Sequence, residues 1–147
     1  MLWKACYPVQ KNILFEDEHI IVFYKPAGIA TQTARIGQQD MVSELKNYLS
    51  SRTGAGSVPY LGIVHRLDQP VSGLLVFAKT REAAADLGRQ ITGGQMQKFY
   101  HALVSGVPGK ESATLTDYLF KDGKTNRSLI VGADFPGGRR AVLPYRL

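Results

Sequence analysis

The chain has 147 residues, 44% of them hydrophobic, and a formal net charge of +6. This length and composition suit one ordinary domain with its own core, and they exclude a disordered chain, a fibre or a disulfide scaffold. The single cysteine, Cys6, cannot form an internal disulfide, so we predict a reducing, cytoplasmic location. No segment approaches the ~20 apolar residues that cross a bilayer, and the first residues do not resemble a signal peptide. We therefore predict no association with a membrane.

The positive charge is concentrated in the second half of the sequence. Residues 79–147 carry eleven bases and six acids, whereas residues 1–78 carry seven bases and six acids. A basic surface favours a polyanionic partner through counterion release, although a generic basic protein has the same composition. The bases singled out in the second half are Lys79, Arg81, Arg89, Lys98, Arg127, Arg139 and Arg140.

The first predicted elements are two short strands in NILFEDEHIIVFYKPAG, residues 12–28, around an acidic turn. A helix is predicted over residues 40–52, where Asp40 is a candidate N-cap and apolar residues recur at helical spacing. The Gly- and Ser-rich stretch at residues 50–59 then predicts a loop.

Two apolar runs, at residues 61–64 and 74–78, predict strands. Thr80 is a candidate N-cap for a second helix of about eleven residues, which ends before Gly93. The segment KFYHALVSG, residues 98–106, alternates apolar and polar residues as a strand does.

The remainder of the chain, from Ala113 to Leu147, predicts three more short strands, separated at KDGKTN and DFPGGR. Strands dominate the whole pattern, and neighbouring strands are often close enough in sequence to form hairpins. We therefore predict an α+β fold with a mixed, largely antiparallel sheet and two main helices.

Several short motif matches fail when the rest of each motif is compared. GAGSVP lacks the third glycine of a dinucleotide-binding turn, GKT lacks the first glycine of a phosphate loop, and HRLD splits the Arg–Asp pair of a kinase catalytic loop. The three histidines, His19, His65 and His101, are far apart and have no cysteine or carboxylate at ligand spacing. We therefore predict no metal site.

A carboxylate stands between two apolar runs in YLGIVHRLDQPVSGLLVFAKT, residues 60–80. Asp68 precedes Pro70 and Gly73, which suit a tight loop, and loops at strand ends often hold reactive groups. One interpretation is a structural ion pair between Asp68 and Arg66 that fixes this loop. If the carboxylate has a chemical role, it can bind metal, transfer a proton or attack an electrophile. A lone aspartate fits the nucleophile better than a paired acid and base, and the basic composition suggests that its substrate is a nucleic acid.

HRLDQPVSGLLVFAK closely resembles the signature of the RluA-type pseudouridine synthases, which reads approximately His-Arg-Leu-Asp-x-x-Thr-Ser-Gly-Leu-Leu-x-x-Ala-Lys. YKPAG is similar to the family's Lys-Pro-x-Gly segment, and KFYHALVSG is similar to its Lys-x-Tyr-x-Ala-x-Val-x-Gly block. The three blocks occur in order, and the similarity spans nearly the whole chain. The matching residues are Lys25, Pro26, Gly28, His65, Arg66, Leu67, Asp68, Ser72, Gly73, Leu74, Leu75, Ala78, Lys79, Lys98, Tyr100, Ala102, Val104 and Gly106.

This resemblance implies the pseudouridine synthase fold and the isomerisation of uridine to pseudouridine in RNA, without a metal or an organic cofactor. It implies that Asp68 is the catalytic nucleophile and that Tyr100 lies against the uracil ring. Arg66 becomes a candidate for contacting the flipped nucleotide or the backbone, Lys25 a candidate for holding phosphate, and His65 a further substrate-binding candidate. Attack at the ribose C1′, attack at the pyrimidine C6 and stabilisation of a glycal-like intermediate all stay open.

The chain departs from the family pattern in two places. Gln69, Pro70 and Val71 stand where many relatives have a basic residue, a variable residue and threonine. The family's Gly-Arg-x-His-Gln-Ile-Arg segment, whose first arginine pairs with the catalytic aspartate, does not occur in the 147 residues. We therefore expect residues 1–147 to be the N-terminal portion of a catalytic domain, without an S4-like RNA-binding domain. We also expect little or no turnover from these residues alone.

The expected partner is RNA, and the sequence does not choose between ribosomal and transfer RNA. An alternative is a catalytically inactive RNA-binding module that retains the fold, and a third possibility is a purely structural basic domain. The sequence gives no indication of the oligomeric state.

Overall fold

The structure, a computed structural model, describes residues 9–33, 37–53 and 58–147. The chain divides into two compact units, Met1–Phe99 and Tyr100–Leu147. Cys6 and the centre of the predicted Gly- and Ser-rich loop, residues 54–57, lie outside the described residues. Within those described ranges, none of the helices combines the length and the apolar character needed to span a membrane.

The first unit contains a four-stranded antiparallel sheet and two helices, which follow a short 3-10 helix at Val9–Asn12. The strands lie side by side in the order β1-β2-β4-β3. Their bounds and those of the helices are β1 Ile13–Glu16, β2 Ile20–Lys25, α1 Met41–Thr53, β3 Gly62–Ile63, β4 Gly73–Ala78 and α2 Arg81–Thr92.

The core of the first unit lies between the central strands and α1. Strand β2 turns Ile21, Phe23 and Lys25 inward at alternate positions, as a half-buried strand does. Helix α1 covers them with its apolar face, because residues three and four apart share one side of a helix. The buried apolar residues of this core are Ile21, Phe23, Ile29, Met41, Val42, Leu45, Leu49, Leu61, Leu75 and Phe77.

Both helices begin where the sequence predicts. The Asp40 carboxylate accepts the Ser43 N–H at 2.8 Å, and its other oxygen accepts the Thr33 N–H at 2.8 Å. The Thr80 hydroxyl accepts the Ala83 N–H at 3.1 Å, so it caps the start of α2. Because these caps satisfy otherwise unpaired N–H groups, they set the helix starts locally.

The second unit is a three-stranded antiparallel sheet in the order β6-β5-β7. Strands β5 Ser112–Asp122, β6 Arg127–Val131 and β7 Arg139–Arg146 occupy the region where three strands are predicted. Every residue from Tyr100 to Leu147 is at least partly exposed, because neither face of this sheet is covered by another layer within the unit.

The strand predicted over residues 98–106 does not form. This segment is irregular and pairs with no strand of the described chain, although its apolar residues alternate. Phe99 is 83% exposed and Val104 is 57% exposed, so the alternation has no core to face. Hydrophobic alternation requires both a neighbouring strand and a buried face before it produces a strand. With two helices and antiparallel sheets, the predicted α+β class is confirmed.

Two glycines provide a test of how closely α2 packs on the sheet. A Cβ atom at Gly62 would lie 3.0 Å from the Ala84 Cβ of α2 and 2.9 Å from the Tyr60 hydroxyl, whereas one at Gly88 meets nothing within 4 Å. We predict that Gly62→Ala lowers the free energy of unfolding by about 1–3 kcal/mol through overpacking. The matched Gly88→Ala change raises it by about 0.5–1 kcal/mol, because alanine favours a helix interior. Urea titrations of the two variants measure both values, and equal effects would contradict the close packing.

Candidate active site

Asp68 lies at the centre of the loop that joins β3 to β4, residues 64–72. The two strands are antiparallel, and the loop leaves β3 opposite Phe77 and enters β4 at Gly73. Asp68 is exposed, and its backbone oxygen accepts the Val71 N–H at 3.0 Å, which closes a turn. The carboxylate is therefore carried on a short turn between rigid strands and faces solvent.

Lys25 ties this loop to the end of β2. Its ammonium group donates to the backbone oxygens of Ile29 at 2.7 Å, Pro26 at 3.1 Å and Gln69 at 3.2 Å. Lys25 is completely buried, so these carbonyls replace the water that a lysine normally binds. Burial lowers the pKa of Lys25, and the negative charge of Asp68 partly opposes this effect.

Lys25 has a structural role in addition to the one expected from the sequence. Its side chain is completely buried, and the expected contact with an RNA phosphate stays a prediction. Its ammonium joins the turn after β2 to the residue next to Asp68. The sequence could not reveal this, because Lys25 reads equally well as an exposed residue at the end of a strand.

Two further hydrogen bonds join the same two segments. The Gly28 N–H donates to the Gln69 oxygen at 2.8 Å, and the Gln69 side-chain amide donates to the Gly28 oxygen at 3.0 Å. Gly28 has a φ of 90°, a left-handed conformation that glycine adopts without strain. Two of the three sequence blocks, YKPAG and HRLDQPVSG, therefore meet beside Asp68.

Thr31 forms a second brace that the sequence analysis missed. Its hydroxyl donates to the Leu67 oxygen at 2.8 Å and accepts the Leu67 N–H at 3.2 Å. Thr31 is 3% exposed, so the residue immediately before Asp68 has both of its backbone groups satisfied by one buried side chain. No motif marks Thr31, and only the fold shows that it reaches Leu67 across 36 positions.

His65 anchors the beginning of the loop to β4. Its Nε2 atom accepts the Val76 N–H at 3.0 Å, which requires that nitrogen to be unprotonated. Burial lowers the pKa of His65, and the positive charge of Lys98 lowers it further. The histidine therefore has a structural contact in addition to any contact with a substrate.

The remaining predicted residues differ in their surroundings. Arg66 is exposed on the same loop as Asp68. Tyr100 is 65% exposed and belongs to the second unit, within the irregular segment described above. The first unit thus brings together Lys25, His65, Arg66 and Asp68, while the predicted contact between Tyr100 and a uracil ring stays a prediction. Among the described residues, no cluster of three or more His, Cys, Asp or Glu side chains could hold a metal ion.

Several bases that the sequence marked for a polyanion are used within the first unit. Lys79 pairs with Glu16 at 2.8 Å, and Arg89 pairs with Asp86 at 2.9 Å. Arg81 lies over the Tyr60 ring at 5.7 Å. Part of the basic composition of residues 79–147 therefore stabilises this unit and is less available to a ligand.

A pair of substitutions tests the Thr31 brace. We predict that Thr31→Val lowers the free energy of unfolding by about 1–3 kcal/mol, because the partly buried Leu67 N–H and C=O lose their partner. Thr31→Ser keeps the hydroxyl and should lose less than about 1 kcal/mol. Chemical denaturation gives these values, and amide hydrogen exchange at Leu67 should accelerate in the valine variant alone. Equal losses in both variants would show that the methyl group, not the hydroxyl, matters.

The lowered pKa of His65 predicts a dependence of stability on pH. The unfolded chain binds a proton near pH 6.5, whereas the folded chain resists protonation until a lower pH. The contribution of His65 to the free energy of unfolding is therefore complete above its pKa in the unfolded chain. It is lost as the pH falls through its pKa in the folded chain. Urea denaturation at pH 7 and pH 5 should show a smaller loss of stability in His65→Gln than in the natural sequence. An identical loss would exclude this coupling.

The sequence of this chain is similar to those of RNA pseudouridylate synthases. Residues 19–146 match the family model described as RNA pseudouridylate synthase. Ribosomal large subunit pseudouridine synthase D of Pseudomonas aeruginosa is 41% identical over 145 residues, a match that covers 99% of this chain and 43% of that protein. The protein of the same name from Zymomonas mobilis is 37% identical over 139 residues, covering 92% and 43% respectively. The chain spans less than half the length of these relatives.

One solved structure is also similar. Human RNA Pseudouridylate Synthase Domain Containing 4 superposes with a TM-score of 0.66 at 15% sequence identity, covering 94% of this chain and 54% of that one. At this identity the likeness concerns the fold, and it confirms the fold expected from the three sequence blocks.

Proposed function

The chain belongs to the RNA pseudouridylate synthase family, as its three sequence blocks predict, and on that premise we propose that it forms part of a uridine isomerase with Asp68 as the catalytic carboxylate. The observation that carries this proposal is the position of Asp68 on an exposed turn held by Lys25 and Thr31. A catalytic group needs such support, because small displacements from the reacting geometry are costly in rate.

The proposed reaction rearranges one nucleotide without adding or removing atoms. The C1′–N1 bond of uridine breaks, the detached uracil turns within the site, and its C5 joins C1′ while the C5 proton moves to solvent and N1 gains one. Asp68 supports this either as a nucleophile at C1′ or C6, or by stabilising a glycal-like intermediate. None of these routes requires a metal or an organic cofactor in this proposal.

The other residues receive roles that fit their surroundings. Arg66 is exposed beside Asp68, so its guanidinium is available to a phosphate or to the flipped nucleotide. Tyr100 is proposed to lie against the uracil, which must stay bound while it is detached. His65 and Lys25 act mainly by holding the loop, since each has structural partners. The target base has to leave its stack, at a cost of about a few kcal/mol.

Ribosomal RNA is the proposed substrate, because two of the curated relatives reported above are named as ribosomal large subunit enzymes. Transfer RNA is the alternative within the same reaction class. A cytoplasmic location belongs to the same proposal, as does the placement of residues 1–147 within one longer catalytic domain.

A second candidate function is RNA binding without turnover. Within the part of the chain that the structure describes, no arginine forms an ion pair with Asp68. This candidate keeps the RNA contacts of the first proposal and differs from it only in the absence of turnover.

Removal of one carboxylate tests the catalytic proposal. In the protein that carries this chain, Asp68→Asn should reduce pseudouridine formation in ribosomal RNA by on the order of 10³-fold or more, with RNA affinity nearly unchanged. Glu18→Gln removes one exposed negative charge from the same unit and serves as the matched control. Pseudouridine mapping and a binding assay measure the two quantities.

The outcomes separate the candidates. Undiminished modification by the Asp68→Asn variant would contradict the role of Asp68. RNA binding with no modification by the natural sequence would favour the second candidate. Absence of RNA binding even at low salt would contradict both.

A further inference from the structure

The net positive charge of the second unit is confined to one end of its sheet. Residues 118–140 carry five bases and two acids, whereas the rest of Tyr100–Leu147 carries two bases and two acids. All five bases are exposed. We call them the basic end, and they are Lys121, Lys124, Arg127, Arg139 and Arg140.

Strand register places the bases of the basic end near one end of the sheet, on both of its faces. In the strand register, Arg127 of β6 lies opposite Asp122 of β5, and Arg139 of β7 lies opposite Leu119 of β5. Lys121 lies two residues beyond Leu119 and therefore on the same face as Arg139, as a diagonal neighbour roughly 7–8 Å away. Arg127 and Arg140 lie on the opposite face, because their partners Asp122 and Tyr118 have the other parity.

The turn that carries Lys124 is held in one conformation. The Asp122 carboxylate accepts the Lys124 N–H at 2.9 Å and the Thr125 hydroxyl, and these bonds lower the pKa of Asp122. Lys121 donates to the Asn126 oxygen at 2.7 Å across the same turn. The one carboxylate in the turn is therefore engaged in shaping it and forms no ion pair with the nearby bases.

The five bases of the basic end have no ion-pair partner, unlike two bases of the first unit. Lys79 and Arg89 are paired with carboxylates, but within residues 100–147, all of which the structure describes, none of the five bases forms an ion pair. Cations that are exposed, unpaired and grouped near one end of a sheet are suited to phosphate groups.

We propose that the basic end is an RNA-backbone contact surface carried by the second unit, distinct from the Asp68 loop of the first unit. This inference rests on the proposed RNA-directed function, because it takes RNA as the polyanion. The surface positions RNA through phosphates and reads no bases, so its contribution depends strongly on salt and little on sequence.

The opposite end of the same sheet supplies a matched control. Lys110 and Arg146 are also exposed, and Arg146 pairs with Ser112 at the start of β5. The ten residue steps from Ser112 to Asp122 separate the two ends by about 33 Å. The variant K124Q/R127Q removes two charges from the basic end, and K110Q/R146Q removes two from the other end. Neither pair disturbs the Lys121–Asn126 bond.

The experiment measures the affinity for a fluorescently labelled ribosomal RNA fragment at several salt concentrations. K124Q/R127Q should weaken binding on the order of tenfold near 0.1 M salt and reduce the slope of log affinity against log salt by roughly 1.4–1.8. K110Q/R146Q should change affinity by less than about twofold. Thermal unfolding checks that each variant is folded, and R139Q/R140Q replaces K124Q/R127Q if that variant is not.

The outcomes distinguish this inference from the proposed function. Equal losses of RNA affinity in the two charge variants would contradict the RNA-contact role of the basic end and leave the Asp68 proposal intact. Unchanged affinity in K124Q/R127Q, while the natural sequence binds RNA, would do the same. Absence of RNA binding by the natural sequence would overturn both. Displacement of the RNA by polyglutamate at equal charge concentration would assign the surface to an acidic protein instead.

Discussion

The buried ammonium group of Lys25 is the interaction on which the candidate site depends. It sits at the inward position that follows Ile21 and Phe23 on β2, where another apolar residue would continue the core. Three backbone carbonyls satisfy it, and one of them belongs to Gln69, the neighbour of Asp68. Hydrogen bonds to a charged group contribute about 1.5–3 kcal/mol each, which offsets much of the cost of burial. Lys25 is the last residue of β2, and its ammonium group joins the following turn to the loop of the proposed catalytic carboxylate.

This arrangement explains how an exposed carboxylate can keep a defined position. Asp68 itself faces solvent, but the residue before it is held by Thr31 and the residue after it by Lys25 and Gly28. The support comes from side chains that are buried in the core of the first unit, so it is as rigid as that core. A loop braced from both sides leaves the reactive group free while fixing its backbone.

The two units of the chain differ in how they are stabilised. The first has a continuous apolar core between its sheet and α1, whereas no residue of the second is fully buried. A sheet without a covering layer stabilises itself mainly through its ladder bonds and its turns. The Asp122 turn and the edge contact between the Phe120 and Phe135 rings, whose centroids are 5.2 Å apart, are examples. Its exposed strands leave charged side chains at one end available to a ligand.

The sequence by itself determined the family, the positions of both helices and most strands, because these depend on local signals. Asp40 and Thr80 cap helices within their own segments, and the hairpin strands β1–β2 and β5–β6 each pair with a strand that is near in sequence. Only the tertiary structure decided the roles of Lys25 and Thr31, since their partners lie 44 and 36 positions away along the chain. It also decided that residues 98–106 form no strand, because that outcome depends on whether a partner strand and a buried face exist. Helix caps and hairpins depend on residues that are near one another in sequence, whereas burial and long-range contacts exist only once the chain is folded.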